Sequence, residues 1–291
     1  LYDILKEHKK DVRLTGNIGN PILLEKRLKS HTFFIIEASS YQLEYSRFFR
    51  SNYSLILNLS PDHLERHGNF KNYVKAKFKL IQNQSKKDFA FIENENKVLN
   101  SLIDKNKIKS KLIKVNFNNY KKYYKLITNY YLQNRSNIKN ISFLFSLFKY
   151  LKLNIKKIIK VANYFKGLDF RQQIIYDTKK LMIINDSKST SFSSTRPLLE
   201  SYNNIYWILG GLAKQGDQFK LDRKYFTKIK AFIYGKNKNF FSKILHKKIK
   251  YKLTNNLNNA LLLALKEFKN SDDKKKLIIF SPSAASFDQF K

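Results

Sequence analysis

The sequence of 291 residues contains no cysteine, and it has only one methionine, one tryptophan and four prolines. Without cysteine neither a disulfide framework nor a thiolate metal site can form, which is typical of a reducing compartment and predicts a cytoplasmic protein. The longest apolar run, from Ile141 to Leu151, is interrupted by Ser146 and Lys149 and is too short to span a bilayer. No signal peptide is evident. We therefore expect no membrane insertion.

Negative charge is also scarce, because 22 Asp and Glu face 57 Lys and Arg and leave a formal net charge of +35. Apolar residues make up 43% and aromatic residues 15% of the chain, which indicates a folded protein. The lysines are scattered among Asn, Ile, Phe and Tyr, whereas nucleic-acid-binding proteins cluster their basic residues or interleave them with stacking aromatics. We interpret the charge as a compositionally biased surface with no specific nucleic-acid site, although it favours anionic substrates.

Short apolar runs alternate with helical patterns, which predicts an α/β fold of mainly parallel sheets joined by crossover helices. The chain is long enough for two domains. Two amphipathic helical patterns, 138–151 and 155–165, end at Gly167 and separate two series of strands, so we predict domains of residues 1–166 and 167–291. The predicted strands are 32–36, 54–59, 89–92 and 111–115, then 181–184, 205–209, 231–234 and 277–280.

Ligands bind beyond the carboxyl ends of parallel strands, and polar residues follow two of the predicted strands in the first domain. Glu37 comes directly after one strand, where a carboxylate can hold Mg²⁺ or can equally be a helix cap or a surface charge. His63 follows what we expect to be the neighbouring strand. It can complete a metal shell, contact a phosphate or have a purely structural role.

Lys77 lies on an apolar helical stripe whose other members are Phe70, Tyr73, Val74 and Ile81. Lys75 and Lys79 project away from this stripe, so we expect them to be ordinary solvated charges. Burial lowers the pKa of a lysine, and the neutral amine can take up CO₂ to form a carbamate that coordinates Mg²⁺ beside Glu37 and His63. The alternative is a lysine that extends to solvent from the edge of the helix.

In the second domain, Asp186 and Lys188 lie where a buried strand opens into a Ser/Thr-rich loop suited to phosphate or carboxylate contacts. Gly210 and Gly211, followed by Lys214, resemble an anion-binding turn. The small residues from Ser281 to Ser286 offer hydroxyl and backbone donors to a carboxylate. Each of these segments is explained equally well as a simple turn.

Taken in order, these loops resemble the Mur ligase family, and among its members those that add D-glutamate. The resemblance covers nearly the whole chain and rests on segments 16–21, 37–44, 62–63 through 76–77, Asn137 with Asn140, 167–171, 185–188, 210–211 and 281–290. It implies an ATP-dependent and Mg²⁺-dependent ligase of peptidoglycan precursor synthesis, which joins D-glutamate to UDP-N-acetylmuramoyl-L-alanine through an acyl phosphate. It also implies a central nucleotide-binding domain of the phosphate-loop type, a Rossmann-like domain for the amino acid, and a monomer.

The resemblance assigns roles to individual residues. Glu37, His63 and carbamylated Lys77 would be the catalytic and metal-binding group. Asn17 and Ser39 would lie near the phosphates and the muramoyl substrate. The expected ATP-binding residues are Asn140, Arg171 and Asp186, and the residues expected to receive D-glutamate or its neighbours are Lys188, Thr190, Lys214, Ser286 and Phe287.

The chain departs from the family pattern in several places. Ser136 stands where the family usually has His, and Ser191 stands where it usually has Asn. The family's glycine-rich phosphate loop, expected just before Leu1, is not in the sequence, so we expect the 291-residue chain alone to have little or no activity while its full-length parent is the ligase. The alternatives are another Mur or folylpolyglutamate-type ligase, and an inactive basic fragment that binds nucleic acid non-specifically.

Overall fold

The computed structural model describes residues 1–214, 216–270 and 275–285, apart from the side chains at 135 and 136. The chain divides into two compact units, Leu1–Phe165 and Lys166–Lys291. Ser286 and Phe287, two of the residues predicted to bind the amino acid, lie outside the described residues. No helix of the described ranges is long and apolar enough to cross a membrane.

The first unit alternates strands and helices. Its elements are α1 Tyr2–Glu7, β1 Val12–Gly16, β2 Phe33–Glu37, α2 Ser40–Tyr45, β3 Tyr53–Ile56, α3 Leu64–His67, α4 Phe70–Gln82, β4 Phe89–Glu93, α5 Lys97–Asn106, β5 Lys111–Val115, α6 Lys121–Tyr124, α7 Arg135–Tyr150 and α8 Ile155–Tyr164. Short 3₁₀ turns occupy Ile22–Leu24, Phe117–Tyr120 and Tyr130–Leu132.

The strands of the first unit form two parallel sheets, β1–β2 and β3–β4–β5. Strand β1, which the sequence did not reveal, is the hydrogen-bonded neighbour of β2. The strands that precede Glu37 and His63 therefore lie in different sheets, and the expectation that they are paired neighbours is wrong. The reason is that Val12–Gly16 supplies the partner of β2, and its mixed composition hides it from a search for apolar runs.

The second unit contains β6 Gln173–Asp177, β7 Leu181–Asn185, α9 Phe192–Ser201, β8 Ile205–Gly210, β9 Ile229–Tyr234, α10 Lys238–Leu245, β10 Lys250–Leu253, α11 Leu257–Lys269 and β11 Lys276–Phe280. A 3₁₀ helix at Arg223–Lys228 precedes β9. The strands form one sheet in the order β10-β9-β8-β11-β7-β6, in which only the β6–β7 pairing is antiparallel. Mainly parallel sheets in an α/β fold are therefore confirmed.

Both faces of this sheet are packed against helices. On one face, Phe192 of α9 and Phe241 of α10 contact each other and share a core with Trp207 of β8. On the other face, Ala260 and Ala264 bring α11 close to β8, β9 and β11. Two-sided burial explains why β8, β9 and β11 read as continuous apolar runs in the sequence. It also leaves the carboxyl ends of these strands as the place where polar loops collect.

Candidate functional site

Lys77 lies on the apolar face of α4, as the helical spacing predicts. Asn69 caps this helix by accepting a hydrogen bond from the backbone N–H of Asn72 at 2.9 Å, and Tyr73 is buried. Lys77 is half-buried, and its Nζ lies 5.3 Å from the centroid of the Tyr73 ring. Burial raises the pKa of Tyr73 to about 12, with a further contribution from Asp62. The environment of Lys77 is therefore poorly solvated.

The pKa of Lys77 is lowered by burial, and this effect outweighs the opposing attraction of two carboxylates, Asp62 and Glu37. A lowered pKa enriches the neutral amine, which is the form that reacts with CO₂. The structure thus brings Lys77 and Glu37, two residues predicted from the sequence, into one electrostatic environment. Asp62 belongs to the same environment and was not predicted as a site residue, although it directly precedes His63 in the sequence.

Glu37 is exposed at the end of β2, and its position depends on the tight turn that follows β1. The Nδ2 atom of Asn17 donates to Glu37 Oε1 at 3.2 Å, and the backbone N–H of Asn17 donates to the Glu37 carbonyl at 2.8 Å. Gly16 has φ +104°, and a Cβ there would lie 2.5 Å from the Glu37 carbonyl oxygen. Glycine is therefore required at position 16 for Asn17 to reach this carboxylate.

His63 has a left-handed backbone with φ 52°, an uncommon conformation for a residue other than glycine and one often found at functional sites. Asp62 accepts a hydrogen bond from the His63 N–H at 3.1 Å. The hydroxyl of Tyr41 lies 3.2 Å from His63 Nδ1, and the carboxylates of Asp62 and Glu65 each approach a ring nitrogen at 3.5 Å. His63 is thus linked to the Lys77 environment through Asp62.

Ser39 is the N-cap of α2. Its hydroxyl accepts from the backbone N–H of Gln42 at 3.2 Å, and the side chain of Gln42 accepts from the Ser39 N–H at 3.0 Å, so the two residues form a capping box. This role accounts for the Ser39 side chain without a ligand. Its hydroxyl hydrogen is not used in the capping box, so the predicted contact with substrate stays a prediction.

The flanking lysines of α4 behave differently from each other. Lys75 is exposed, as expected. Lys79 was expected to be solvated in the same way, and this is wrong, because it is half-buried and its Nζ donates to the carbonyl of Glu44 at 2.5 Å. The cause is the packing of α4 against α2, which brings the end of α2 over the side of α4 that carries Lys79.

Glu37 and Lys77, the latter only as a carbamate, carry the types of group that can hold a Mg²⁺ ion bound to phosphates. No group of three or more His, Asp or Glu side chains in the described ranges is arranged to hold a metal by itself. Mg²⁺ in nucleotide sites usually takes only one or two protein carboxylates and completes its shell with phosphates and water. Glu37, together with a carbamate on Lys77, would supply that number of oxygen ligands.

Asn140 lies on α7, one turn beyond Asn137. The side chain of Asn137 donates to the Tyr131 carbonyl at 2.6 Å, which fixes the start of the helix. Asn140 is half-buried, and its side chain makes no hydrogen bond with the described part of the chain. It is the better placed of the two amides to bind a ligand.

In the second unit, Asp186 is only 3% exposed. Its Oδ1 accepts from the Gln172 N–H at 3.0 Å, and its Oδ2 accepts from the Ser281 hydroxyl at 2.7 Å. Burial raises the pKa of Asp186, although hydrogen bonds from Ser189, Ser281 and Gln172, and the charge of Arg171, oppose the rise. Asp186 therefore connects the segments that contain Gln172 and Ser281. The neighbouring Arg171 is exposed.

Lys188 and Thr190 lie on the loop between β7 and α9. Lys188 is exposed, its Nζ is 6.0 Å from the centroid of the Phe170 ring, and its N–H donates to the Phe170 carbonyl at 3.1 Å. Thr190 is half-buried. This loop therefore presents an exposed cation, Lys188, which is suited to an anionic ligand.

The Gly210–Gly211 pair serves close backbone packing, and its predicted role in an anion-binding turn stays a prediction. A Cβ at Gly210 would lie 2.0 Å from the Tyr234 carbonyl oxygen, and one at Gly211 would lie 2.4 Å from that of Ala285. The N–H of Gly210 donates to the Pro282 carbonyl at 3.0 Å, and the N–H of Leu212 donates to that of Ala285 at 2.8 Å. These donors are not available to an anion. Lys214, further along, lies within electrostatic range of Asp217.

Two α/β units with mainly parallel sheets, polar loops at the strand ends and a desolvated lysine beside carboxylates define a class of nucleotide-dependent enzyme folds. A family model described as the Mur ligase middle domain matches residues 1–163. The chain therefore belongs to the Mur ligase family.

Among curated proteins, the chain is similar to two that are named UDP-N-acetylmuramoylalanine--D-glutamate ligase. It is 31% identical to the one from Rickettsia bellii over 310 residues, which covers 99% of this chain and 68% of that protein. It is 32% identical to the one from Rickettsia felis over 308 residues, with the same coverage.

Solved structures agree on the fold. MurF from Acinetobacter baumannii has a TM-score of 0.69 at 12% identity, covering 96% of this chain and 76% of that chain. MurF from Thermotoga maritima, solved in complex with ADP, has a TM-score of 0.65 at 13% identity, covering 97% and 72%. At such low identity these structures establish the fold alone.

Proposed function

We propose that this chain is the greater part of an ATP-dependent ligase that joins D-glutamate to UDP-N-acetylmuramoyl-L-alanine in peptidoglycan precursor synthesis. The names of the relatives that match 99% of the chain support this substrate pair. The observation that carries the chemistry is the desolvated amine of Lys77 within electrostatic range of the carboxylates of Asp62 and Glu37. An amine in that position is suited to become an anion by carbamylation.

The proposed reaction has two steps. A carboxylate oxygen of the alanine attacks the γ-phosphorus of ATP, the bond to the bridging oxygen breaks, and ADP leaves with that electron pair. The D-glutamate amine then attacks the carbonyl carbon of the acyl phosphate, loses a proton, and phosphate leaves as the amide forms. Basic side chains offset the charge that develops on the phosphoryl group.

Glu37, His63 and carbamylated Lys77 are proposed to hold Mg²⁺, which when bound would neutralise phosphate charge. Asn17 orients Glu37 through its hydrogen bond, and Tyr41 orients His63. Fixing these side chains before the substrates bind avoids their reorganisation during the reaction.

The remaining roles are proposals drawn from the family resemblance and from the placement described above. The unit of residues 1–165 is proposed to bind the nucleotide and the unit of residues 166–291 the amino acid. Asn17 and Ser39 are assigned to the muramoyl substrate and the phosphates; Asn140, Arg171 and Asp186 to ATP; and Lys188, Thr190, Lys214, Ser286 and Phe287 to D-glutamate. We propose a cytoplasmic location, because ATP and UDP-N-acetylmuramoyl-L-alanine are both available there. We also propose that the protein is a monomer.

The test is a ligation assay on the full gene product that carries this sequence, with radiolabelled D-glutamate and with other amino acids as competitors. We expect incorporation to require ATP and to be inhibited by no competitor as strongly as by unlabelled D-glutamate. Lys77→Ala should lower the rate by about 100-fold or more, the effect of removing one electrostatic contributor to the transition state. Lys75→Ala, on the exposed side of the same helix, is the matched control and should leave the rate unchanged.

Two results would contradict the proposal. Ligation of a different amino acid in preference to D-glutamate would assign the chain to another ligase of the family. A Lys77→Ala variant with the rate of the wild type would remove Lys77 from the reaction. Carbamylation is tested separately by ¹³C-bicarbonate labelling, which should give a carbamate signal that is absent from Lys77→Ala.

A further inference from the structure

Three buried hydroxyl groups connect the loops of the second unit. Thr195 Oγ1 lies 2.7 Å from Ser281 Oγ and 2.7 Å from Ser283 Oγ. Thr195 and Ser281 are 0% exposed and Ser283 is 1% exposed, so no water competes for these bonds. The residues come from the first turn of α9 and from the loop that follows β11.

The direction of the hydrogen bonds follows from the neighbouring carboxylate. The Ser281 hydroxyl donates to Asp186 Oδ2 at 2.7 Å, so it has no second hydrogen and accepts from Thr195. Thr195 has then used its hydrogen and accepts from Ser283. With Asp186 ionised, the three hydroxyls form one ordered relay that ends at its carboxylate. Such a network is cooperative, and removal of its central member leaves the Ser283 hydroxyl without its acceptor and the Ser281 hydroxyl without its donor.

Backbone contacts reinforce the same connection. Asp186 N donates to the Phe280 carbonyl at 2.8 Å, and Ser283 N donates to the Ser189 carbonyl at 2.9 Å. Ser283 has φ 54°, a left-handed conformation that costs a serine energy and persists only where its surroundings hold it. The contacts to Ser189 and Thr195 supply that restraint.

The start of α9 is also tied to the loop that follows β8. The Phe192 N–H donates to Asp217 Oδ2 at 2.5 Å, and Leu212 pairs with Ala285 through two backbone hydrogen bonds of 2.8 and 2.9 Å. The loops 186–191 and 281–285, together with Leu212 and Asp217 from the connection after β8, therefore meet near the first turn of α9. Under the proposed function these loops carry or lead into the residues assigned to ATP and D-glutamate.

We propose that Thr195 is a positioning residue whose hydroxyl locks the 186–190 loop and the 281–285 loop together, so that they present the nucleotide and amino-acid residues as one unit. The locking follows from the contacts above, whereas its consequence for ligation rests on the proposed function. Thr195 touches no substrate in this scheme. Its effect is transmitted through Ser281 to Asp186 and through Ser283 to the described part of the loop that follows β11.

The first test is hydrogen–deuterium exchange on the full gene product, comparing wild type, Thr195→Val and Thr195→Ser. Valine keeps the shape and removes the hydroxyl, and serine keeps the hydroxyl. We expect Thr195→Val to accelerate exchange of the amides of Asp186 and Ser283 by about tenfold or more, the scale of one buried hydrogen bond, while amides of β8 and β9 keep their rates. Thr195→Ser should resemble wild type.

An acceleration that is uniform over the sheet of the second unit, or none at either loop, would overturn the proposal, because Thr195 would then be an ordinary core residue. Ser283→Ala removes only the hydrogen bond from Ser283 to Thr195. It should accelerate exchange at Ser283 and leave that at Asp186 close to wild type. Equal acceleration at both amides would contradict the order of the relay.

The second test is steady-state ligation. Thr195→Val should raise the KM for D-glutamate and for ATP by about tenfold with a smaller change in kcat, and Thr195→Ser should restore both, since positioning acts mainly on binding. A variant that loses stability but keeps both KM values would contradict the positioning role. A wild-type protein that ligates nothing would contradict the proposed function instead, and the exchange measurement would still decide whether Thr195 couples the loops.

Discussion

The amine of Lys77 and the ring of Tyr73 lie one helical turn apart on α4, with 5.3 Å between Nζ and the ring centroid. Both groups are desolvated, and burial acts on them in opposite directions, lowering the pKa of the lysine and raising that of the tyrosine. In each case it favours the neutral form. The surroundings of this pair therefore favour the uncharged amine of Lys77.

The pKa of Lys77 predicts a dependence of stability on pH. Because this pKa is lower in the folded state than the ordinary value of 10.5, the folded chain holds fewer protons in the window between the two. The contribution of Lys77 to the free energy of unfolding therefore rises with pH across that window. Lys77→Met should remove this rise and be as stable as wild type at pH 7, or more stable by about 1 kcal/mol. Urea titrations at pH 7 and 10 measure the change in unfolding free energy with pH. Lys75→Met, at an exposed position, is the control and should keep the pH dependence of the wild type.

The pKa of Asp88 predicts the pH below which the first unit loses stability. Burial raises the pKa of this fully buried carboxyl, but hydrogen bonds from Arg50 and Ser85 outweigh burial and bring the pKa to about 2. Its contribution is therefore complete above about pH 4 and is lost as the pH falls through about 2. Asp88→Asn should cost about 2 kcal/mol of unfolding free energy at pH 7 and much less at pH 2. Exposed Asp104→Asn serves as the control, and an equal cost at both pH values would contradict the assignment.

For Asp186 we predict that stability changes with pH in the direction opposite to that for Asp88. Its pKa is raised in the folded state, mainly by burial, so the folded chain holds more protons than the unfolded chain above the ordinary value of 3.8. Stability attributable to this group therefore falls as the pH rises from 3.8 through the raised pKa. Asp186→Asn, followed by thermal unfolding across the acid range, should remove a negative slope, whereas Asp88→Asn removes a positive one. Slopes of the same sign for the two variants would disprove this difference.

Replacing Gly210 should reveal a steric cost that can be measured separately from the cost of its positive φ angle. Alanine at this position combines an unfavourable φ of +146° with a Cβ 2.0 Å from the Tyr234 carbonyl oxygen. We expect Gly210→Ala to cost roughly 3 kcal/mol or more, the sum of conformational strain and overpacking. Gly68→Ala, where φ is +75° and no heavy atom lies within 4 Å of the added Cβ, should cost only about 1–2 kcal/mol. Chemical denaturation gives the unfolding free energies of the two variants. Similar losses would show that the close approach of the Tyr234 carbonyl does not require glycine at position 210.

Much of the fold was predictable because its strands are buried on both faces. Strands β8, β9 and β11 are continuous apolar runs, and α4 shows its buried stripe through local spacing alone. Strands β6 and β10 escaped prediction. They are the two edges of the sheet, where exposure permits residues such as Gln173, Lys250 and Lys252, and an edge strand needs no apolar pattern to pair.

The candidate site divides in the same way. Sequence order alone identified Glu37, His63 and Lys77, because a polar residue after an apolar run and a lysine within a helical stripe are local patterns. It did not identify Asp62 and Tyr41, which contact His63, or Thr195, which contacts Ser281 and Ser283 in the second unit. The contacts of these residues join segments separated by up to 88 positions, as between Thr195 and Ser283.

The sequence by itself determined the class of fold, the family and a set of candidate site residues, since periodicity and motif order are properties of neighbouring positions. Only the tertiary structure decided that Gly210 and Gly211 permit close packing, that β2 pairs with β1, and that Asp186 is the end of a buried hydroxyl relay. Those features depend on which distant backbones approach each other, and that is fixed by strand register and helix packing.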